Sequence, residues 1–307
     1  MYKRVLVTGA AGFFGRAVCE DLQKYGHIIF RNYRKSMDKR LDGDLVCDLK
    51  DISSANISSR KIDVVVHCAG QVPLLNSRHS SYHQENVECT KTLLKNATKA
   101  GVKRFIFISS LSVYEGISEN VGVVTATTRP RPKSPYAISK LEAERAIIAH
   151  AEKSDLEFVI IRPPLIYGPG VKGNFKHLIK WIRMALPLPL ENFVQPRSFV
   201  STYNLVSLIT VCLSHEKAPG NIFLASDDDD KSILQVAETI GVASGKRVVL
   251  IRFPIKFMKL LFSVSGQEHL FDRISKGVRV DPSYAKQVLG WSPIESFEQS
   301  IKKMLSR

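Results

Sequence analysis

An α/β fold, with a doubly wound parallel sheet and a smaller C-terminal lobe, is predicted by three observations. Short apolar runs alternate with longer amphipathic stretches as far as Gly168. Glycines recur at every third residue between the first apolar run and the first amphipathic stretch. Beyond Gly168 the alternation gives way to proline- and glycine-rich sequence (YGPGVKGNF, LPLPLENF). Strand–helix alternation implies parallel strands joined by crossover helices. Right-handed crossovers then place ligands at the strands' carboxyl ends.

Each element has its own warrant. RVLVTG is a strand, and FFGRAVCEDLQKYG is a helix with Phe14, Val18, Leu22 and Tyr25 at helical spacing. HIIFRN and the short DLVCDL are the next strands. KIDVVVHCAG is apolar enough to be buried on both faces. SYHQENVECTKTLLKNATKAG is a long helix ending at Gly101, and RFIFISS is the fifth strand. SPYAISKLEAERAIIAHAEKS follows as a helix, with Ser134 as cap and Pro135 in its first position. EFVIIRPP closes the regular series. The expected division is a dinucleotide-type unit over 1–167 plus about 198–213, with a return to the sheet near Phe199–Leu213. The second lobe then takes 168–197 and 214–307.

The 307 residues are 44% hydrophobic and 24% charged, which suits a chain with a substantial core. The five cysteines form no CxxC pair and several lie in apolar runs, so reduced, buried thiols in a cytoplasmic protein are expected rather than zinc or disulfides. MYKRVLVTG opens directly into a strand-like run, so no secretory leader is expected. No window carries the roughly 18 uncharged apolar residues of a membrane span. The nearest, IRFPIKFMKLLFSVSG (251–266), reads first as a core-facing helix; the alternative is peripheral contact with a membrane surface. The net charge of +15 attracts polyanions. With its cations scattered and no nucleic-acid motif present, an anionic small ligand is the expected partner and nucleic acid is not. No histidine spacing suits a metal. His67 reads as a core or near-cofactor residue, and Asp227–Asp230 as a solvated turn, because consecutive carboxylates cannot all converge.

In Thr8-Gly9-Ala10-Ala11-Gly12-Phe13-Phe14-Gly15 the first glycine allows a tight turn. The second lets a pyrophosphate approach the backbone, and the third permits close helix–strand packing. Lying between the first strand and first helix of a βαβ unit, this run predicts a Rossmann-type dinucleotide site at a helix N-terminus. An acid usually ends the second strand when NAD is bound. Here FRNYRKS offers Arg31, Arg34 and Lys35, which suit a 2′-phosphate, so NADP(H) is favoured over NAD(H). Asp48 is positioned for the adenine edge.

In KSPYAISK, Tyr136 precedes Lys140 by one helical turn, so both side chains share a face. A free phenol has a pKa near 10, and an adjacent ammonium lowers it toward a useful acid. Together, Gly-x-x-Gly-x-x-Gly and Tyr-x-x-x-Lys resemble the extended short-chain dehydrogenase/reductase family of NAD-dependent epimerases and dehydratases. VVVHCAG, NVECTKTLLKNATKAGVKRFIFISSLSVY, RPPLIYGPG and LGWSP extend the likeness over nearly the whole chain. Cys89 stands where that family commonly has glycine, and VTATTRPRP lacks the acid often found there.

The resemblance implies catalysis by Ser110, Tyr136 and Lys140, with Ser109 and Ser112 as competitors for the serine. It implies dinucleotide contacts from Gly9, Ala11, Gly12, Phe13, Phe14, Gly15, Arg31, Arg34, Asp48 and Leu49. Cys68, Ala69, Gly70, Pro163 and Leu165 complete that set, with Tyr136 and Lys140. Substrate contacts are implied for Ser110, Ser112, Asn174, Arg197 and Arg273, the arginines gripping a UDP diphosphate. GPGVKGNF, PLPL and RSFV are most similar to the bacterial nucleotide-sugar branch, and the resemblance, through the family's four-helix pairing that includes the Tyr136 helix, implies a homodimer. The leading expectation is NADPH-dependent reduction of a UDP-4-keto-6-deoxy-N-acetylhexosamine in surface-polysaccharide synthesis. A UDP-sugar 4-epimerase with tightly bound NAD is the alternative, a sterol-type dehydrogenase a weaker one, and a non-catalytic dinucleotide sensor the rival from another class.

Overall fold

In the computed structural model of the chain the described residues are 2–34, 43–73, 81–117, 122–264 and 277–306. Lys35 and Arg273 lie outside them. Seven parallel strands form the central sheet: β1 Arg4–Thr8, β2 Ile28–Tyr33, β3 Leu45–Val46, β4 Val64–His67, β5 Arg104–Ile108, β7 Glu157–Arg162 and β10 Asn221–Leu224. Their spatial order is β10-β7-β5-β4-β1-β2-β3. The chain therefore reverses direction of growth at β1, which pairs with β2 on one side and β4 on the other. That switch point is where an open α/β sheet leaves a crevice for a ligand.

Alternate residues of each strand enter different cores, as the period of two requires. Val5, Val7, Val64, Val66, Ile106 and Ile108 face helices α1 (Phe13–Lys24) and α7 (Thr202–Cys212). Leu6, Val65, Phe105 and Phe107 face the other layer, built from α4 (Cys89–Lys99) and α5 (Pro135–Ala151). The long helix before β5 is continuous in sequence but begins with α3 (Ser81–His83) and a π-helical turn, Gln84–Glu88. As expected, Ser134 caps α5 by accepting from the Ala137 N–H at 3.2 Å, with Pro135 in the first turn.

The smaller lobe has its own core, in which Tyr167, Phe175, Phe199, Ile240, Phe297 and Ile301 cluster. It joins β8 (Leu165–Tyr167), α6 (Gly173–Arg183), β9 (Phe199–Ser201), α8 (Ile233–Ser244) and the C-terminal helix Phe297–Leu305. The return near Phe199–Leu213 takes a different form from a sheet strand. Phe199–Ser201 pairs with Leu165–Tyr167 in a separate two-stranded sheet, and the following α7 packs into the main core. The strand that extends the sheet is Asn221–Leu224, whose short NIFL run follows a Pro-Gly turn.

Two further expectations are corrected. Asp227 is not solvated: it is 5% exposed and accepts from the Tyr167 hydroxyl (2.7 Å), Asn204 Nδ2 (2.7 Å) and the Ser201 N–H (2.9 Å). Burial lifts its pKa to about 6 against those hydrogen bonds. Asp230 likewise accepts from the Ser198 hydroxyl at 2.5 Å. The helix α9 (Ile255–Val264) faces a core on one side only, where Met258 is buried with Phe193, while Phe257, Leu260 and Val264 are exposed. No helix among the described residues is long and apolar enough to cross a membrane.

Candidate active site

The glycine turn closes as the sequence requires. Gly9 has φ +68°, and a Cβ there would stand 2.8 Å from the Ala69 backbone. A Cβ on Gly15 would overlap the Gly9 carbonyl oxygen, so only glycine lets α1 pack on the turn. Gly12 is the N-cap of α1 and supplies no side chain to its first-turn N–H groups, whereas serines cap α5, α7 and α8. The first turn of α1 also carries no acid. These uncapped donors and the positive helix end fit a pyrophosphate. Phe14 points into the core, which leaves its backbone to face the turn.

At the end of β2 the cations are already engaged. Arg31 lies 3.8 Å from Asp44 and donates to Gln23 at 2.9 Å. Arg34 pairs with Glu85 and lies 3.5 Å from Asp48. Leu49 is buried in the core beside this edge. Four carboxylate or amide partners thus compete with any 2′-phosphate for the two guanidinium groups.

The third part of the site forms where β4 and β5 end. Lys140 is 5% exposed; its ammonium donates to the Ile108 carbonyl at 2.7 Å and lies 4.2 Å from the Phe107 ring centroid. A Cβ on Gly70 would lie 3.8 Å from Lys140 Nζ, so the loop after β4 reaches α5. Burial lowers the Lys140 pKa to about 8, and Glu144 one turn further along α5 opposes that shift. Tyr136 is half-buried at the start of the same helix, its ring edge-on to Tyr82 at 6.0 Å.

The structure separates the three serines. Ser109 is buried and donates to Glu144, so its hydroxyl is committed. Ser110 is half-buried and accepts from the Ser112 N–H at 3.1 Å, which leaves its own proton to donate outward. Ser112 is also half-buried, in the 3₁₀ turn that Ser110 caps. Pro163 is buried, and its carbonyl accepts from the Leu111 N–H at 2.8 Å, tying the turn to the end of β7. Leu165 is 42% exposed on β8.

Two groups escaped the sequence reading. Glu144 is 1% exposed and is gripped by Arg162 through Nε at 3.0 Å and Nη2 at 2.5 Å; Arg162 also donates to the Tyr114 hydroxyl. Its signal was the third step of a one-turn series, Tyr136, Lys140, Glu144. Asn86, in the π-turn, accepts from the Gln71 N–H at 2.7 Å and donates to the Ser139 hydroxyl at 2.9 Å. It fastens the loop after β4 to the first turns of α5. A polar residue inside a long helix was the available signal.

His67 stays neutral, since burial and the nearby Lys140 push its pKa down to about 3. It bridges Thr8 Oγ1 at 2.6 Å and Thr90 Oγ1 at 2.9 Å. Asn174 is exposed in the first turn of α6, and Arg197 is half-buried, its backbone paired with Lys231. A depression of about 390 Å³, lined by Asp228, Lys286 and Glu295 among others, includes none of the candidate catalytic residues. Among the described residues no cluster of His, Cys, Asp and Glu is placed to hold a metal.

The family model described as the NAD dependent epimerase/dehydratase family matches residues 5–225. A UDP-glucose 4-epimerase from Vibrio cholerae is 35% identical over 313 residues, covering 99% of this chain and 94% of that protein. A solved UDP-N-acetylglucosamine 4-epimerase from Bacillus cereus superposes with a TM-score of 0.81 at 21% identity, covering 98% of both chains. A Bacillus cereus UDP-glucuronic acid 4-epimerase, solved with NAD, gives 0.79 at 23% identity, covering 99% of this chain and 97% of the other.

Proposed function

The chain belongs to the NAD dependent epimerase/dehydratase family, and from that premise we propose that it is a UDP-hexose 4-epimerase that keeps NAD bound. The observation that carries this reading is the buried Lys140 ammonium, one turn from Tyr136 and bonded to the carbonyl of Ile108, two residues before the half-buried Ser110 at the end of β5. The 35% identity to a UDP-glucose 4-epimerase over almost the whole chain supports the same substrate class.

The residues fit the work such a reaction sets. The α1 N-terminus and the Gly9–Gly15 turn would hold the pyrophosphate, and Lys140 the nicotinamide ribose. When bound, the nicotinamide supplies the two-electron oxidation and reduction at sugar C4. Tyr136 takes the proton from the O4 hydroxyl and later returns it. The Lys140 ammonium favours the phenolate, which brings that exchange into the neutral range. Ser110 donates to O4 and stabilises charge that develops there. The Asn86 and Ile108 contacts fix the orientation of α5 and of Lys140, so that little ordering remains for the reactive geometry. Epimerisation also needs the uridine diphosphate held while the hexose presents both faces. Asn174, Arg197 and Arg273 are assigned to that grip, within a substrate lobe of 168–197 and 214–307 from which β10 is lent to the sheet.

A second reading remains in view on one observation: cations, Arg31 and Arg34, stand where NAD sites usually carry an acid. It is an NADPH-dependent 4-keto-sugar reductase of O-antigen or capsule synthesis. Their pairing with Asp44, Glu85 and Asp48 weighs against it. A cytoplasmic homodimer is assigned under either reading.

The test is to denature the purified protein and identify the released nucleotide. UDP-N-acetylglucosamine and UDP-glucose are then offered without added cofactor. Released NAD and formation of the galacto epimer are expected. Turnover only with added NADPH and a 4-keto sugar would establish the reductase instead.

A further inference from the structure

The stretch 251–266 carries cations among apolar residues, and α9, which it includes, exposes part of its apolar surface. Phe257, Leu260 and Val264 recur at the spacing of one α9 face, and are 50%, 55% and 81% exposed. Met258 anchors the helix from another side, against Phe193. The chain leading into α9 is tied to the chain that follows α6. The segment after α6 runs beside 249–251, with the Leu188 N–H donating to the Val249 carbonyl at 2.8 Å and the Ile251 N–H to the Leu188 carbonyl at 3.0 Å. Asn192 Nδ2 adds a bond to the Phe253 carbonyl at 2.8 Å. Trp181 (47%) and Met184 (57%) are exposed at the end of α6, just before this paired segment.

The charge around these groups has one sign. Segments 172–194 and 246–264 hold 9 Lys and Arg but a single acid, Glu191, and Arg252 pairs with it at 2.9 Å. Lys180, Arg183 and Lys256 are exposed beside the apolar groups. A second copy of a chain carrying +15 would meet this face with like charge. A nucleic acid could stack on Trp181 and Phe257 but would leave Leu260, Val264 and Met184 in water. Aromatic and aliphatic groups at headgroup depth, ringed by cations, match an anionic bilayer.

We propose that the α9 face and the end of α6 dock this protein reversibly on anionic lipid membranes. The interaction is peripheral, and it is independent of the catalytic reading, because none of these side chains belongs to the Tyr136–Lys140 site.

Flotation of the full-length protein with phosphatidylglycerol/phosphatidylcholine vesicles, and with phosphatidylcholine alone, tests this. Recovery with the anionic vesicles only is expected, falling at high salt. Lys256→Glu removes one attraction and adds one repulsion, so affinity falls at least about fivefold, the worth of one cation near such a surface. Phe257→Glu/Leu260→Glu abolishes flotation while turnover of soluble substrate stays unchanged. Trp181 reports directly: the other tryptophan, Trp291, is 3% exposed, so a blue shift on vesicle addition that Trp181→Phe removes places this face in the interface. Equal binding to neutral vesicles, or undiminished flotation of the double variant, overturns the proposal. So does light scattering in which the double variant merely converts a larger oligomer to a smaller one and no vesicle binding is found.

Discussion

Glu144→Gln tests how α5, the helix of Tyr136 and Lys140, is held. The substitution keeps the shape of the side chain and removes its charge, leaving Arg162, itself 5% exposed, without its carboxylate. Removing one partner of a buried pair costs about 3–5 kcal/mol. Two features place the result near the lower bound. Arg162 retains the Tyr114 hydroxyl as an acceptor, and the glutamine carbonyl still accepts one guanidinium bond. Urea unfolding should therefore show a fall of about 3 kcal/mol with an unchanged m-value.

The same change reaches Lys140, whose ammonium Glu144 favours and burial disfavours. The Lys140 pKa of about 8 lies below the ordinary 10.5, so the folded state binds fewer protons than the unfolded one between those values and stability rises with pH across that window. In Glu144→Gln the window opens at lower pH, and the alkaline limb of the pH–rate profile moves down with it. A loss under 1 kcal/mol, with an unmoved alkaline limb, would refute both the buried pair and its link to Lys140. Glu144→Met/Arg162→Met should cost less than either single change, because no charge is then stranded.

Other outcomes follow from the same geometry. Ser110→Ala should lower kcat about 10²-fold or more through the lost donor at O4, whereas Ser109→Ala should lower stability and leave kcat near normal; steady-state kinetics of the pair distinguishes them. In the wild type, kcat/KM should decline above about pH 8 as Lys140 loses its proton, and a flat profile to pH 10 would count against its role. Asp227, with its pKa raised to about 6 from 3.8, binds more protons folded than unfolded between those values, so it contributes stability below pH 3.8 that is lost as pH rises toward 6. Asp227→Asn should remove that slope in pH-dependent melting, and should cost about 1–3 kcal/mol near neutrality because its amide nitrogen replaces either the oxygen that accepts from Ser201 and Asn204 or the one that accepts from Tyr167.

Much of this was legible in the residues. Strand identity followed from runs such as VVV and FIFI, which are buried on both faces and so carry no polar alternation. The glycine turn could be placed because its three roles are backbone properties, visible wherever glycine is spaced by three. Tyr136 and Lys140 were legible as a one-turn pair on a helix opened by Ser-Pro. What escaped depended on distance in sequence. Glu144 acquires its meaning from Arg162 on β7 and Ser109 on β5, and Arg31 from Asp44, whose proximity only the β2–β3 pairing creates. Asp227 read as a turn residue because its partners, Tyr167 and Asn204, belong to elements far from it in the chain. The α9 helix misled for another reason: apolar spacing reveals a stripe but says nothing of what the stripe faces.

The most direct measurement is turnover of Tyr136→Phe alongside its nucleotide content. Removal of one hydroxyl from a half-buried ring leaves the glycine turn and Lys140 in place, so the variant should retain the dinucleotide stoichiometrically and lose about 10²–10⁴-fold in kcat. A variant that holds the nucleotide and still turns over UDP-hexose at the wild-type rate would contradict the assignment of the Tyr136 phenol as the proton carrier.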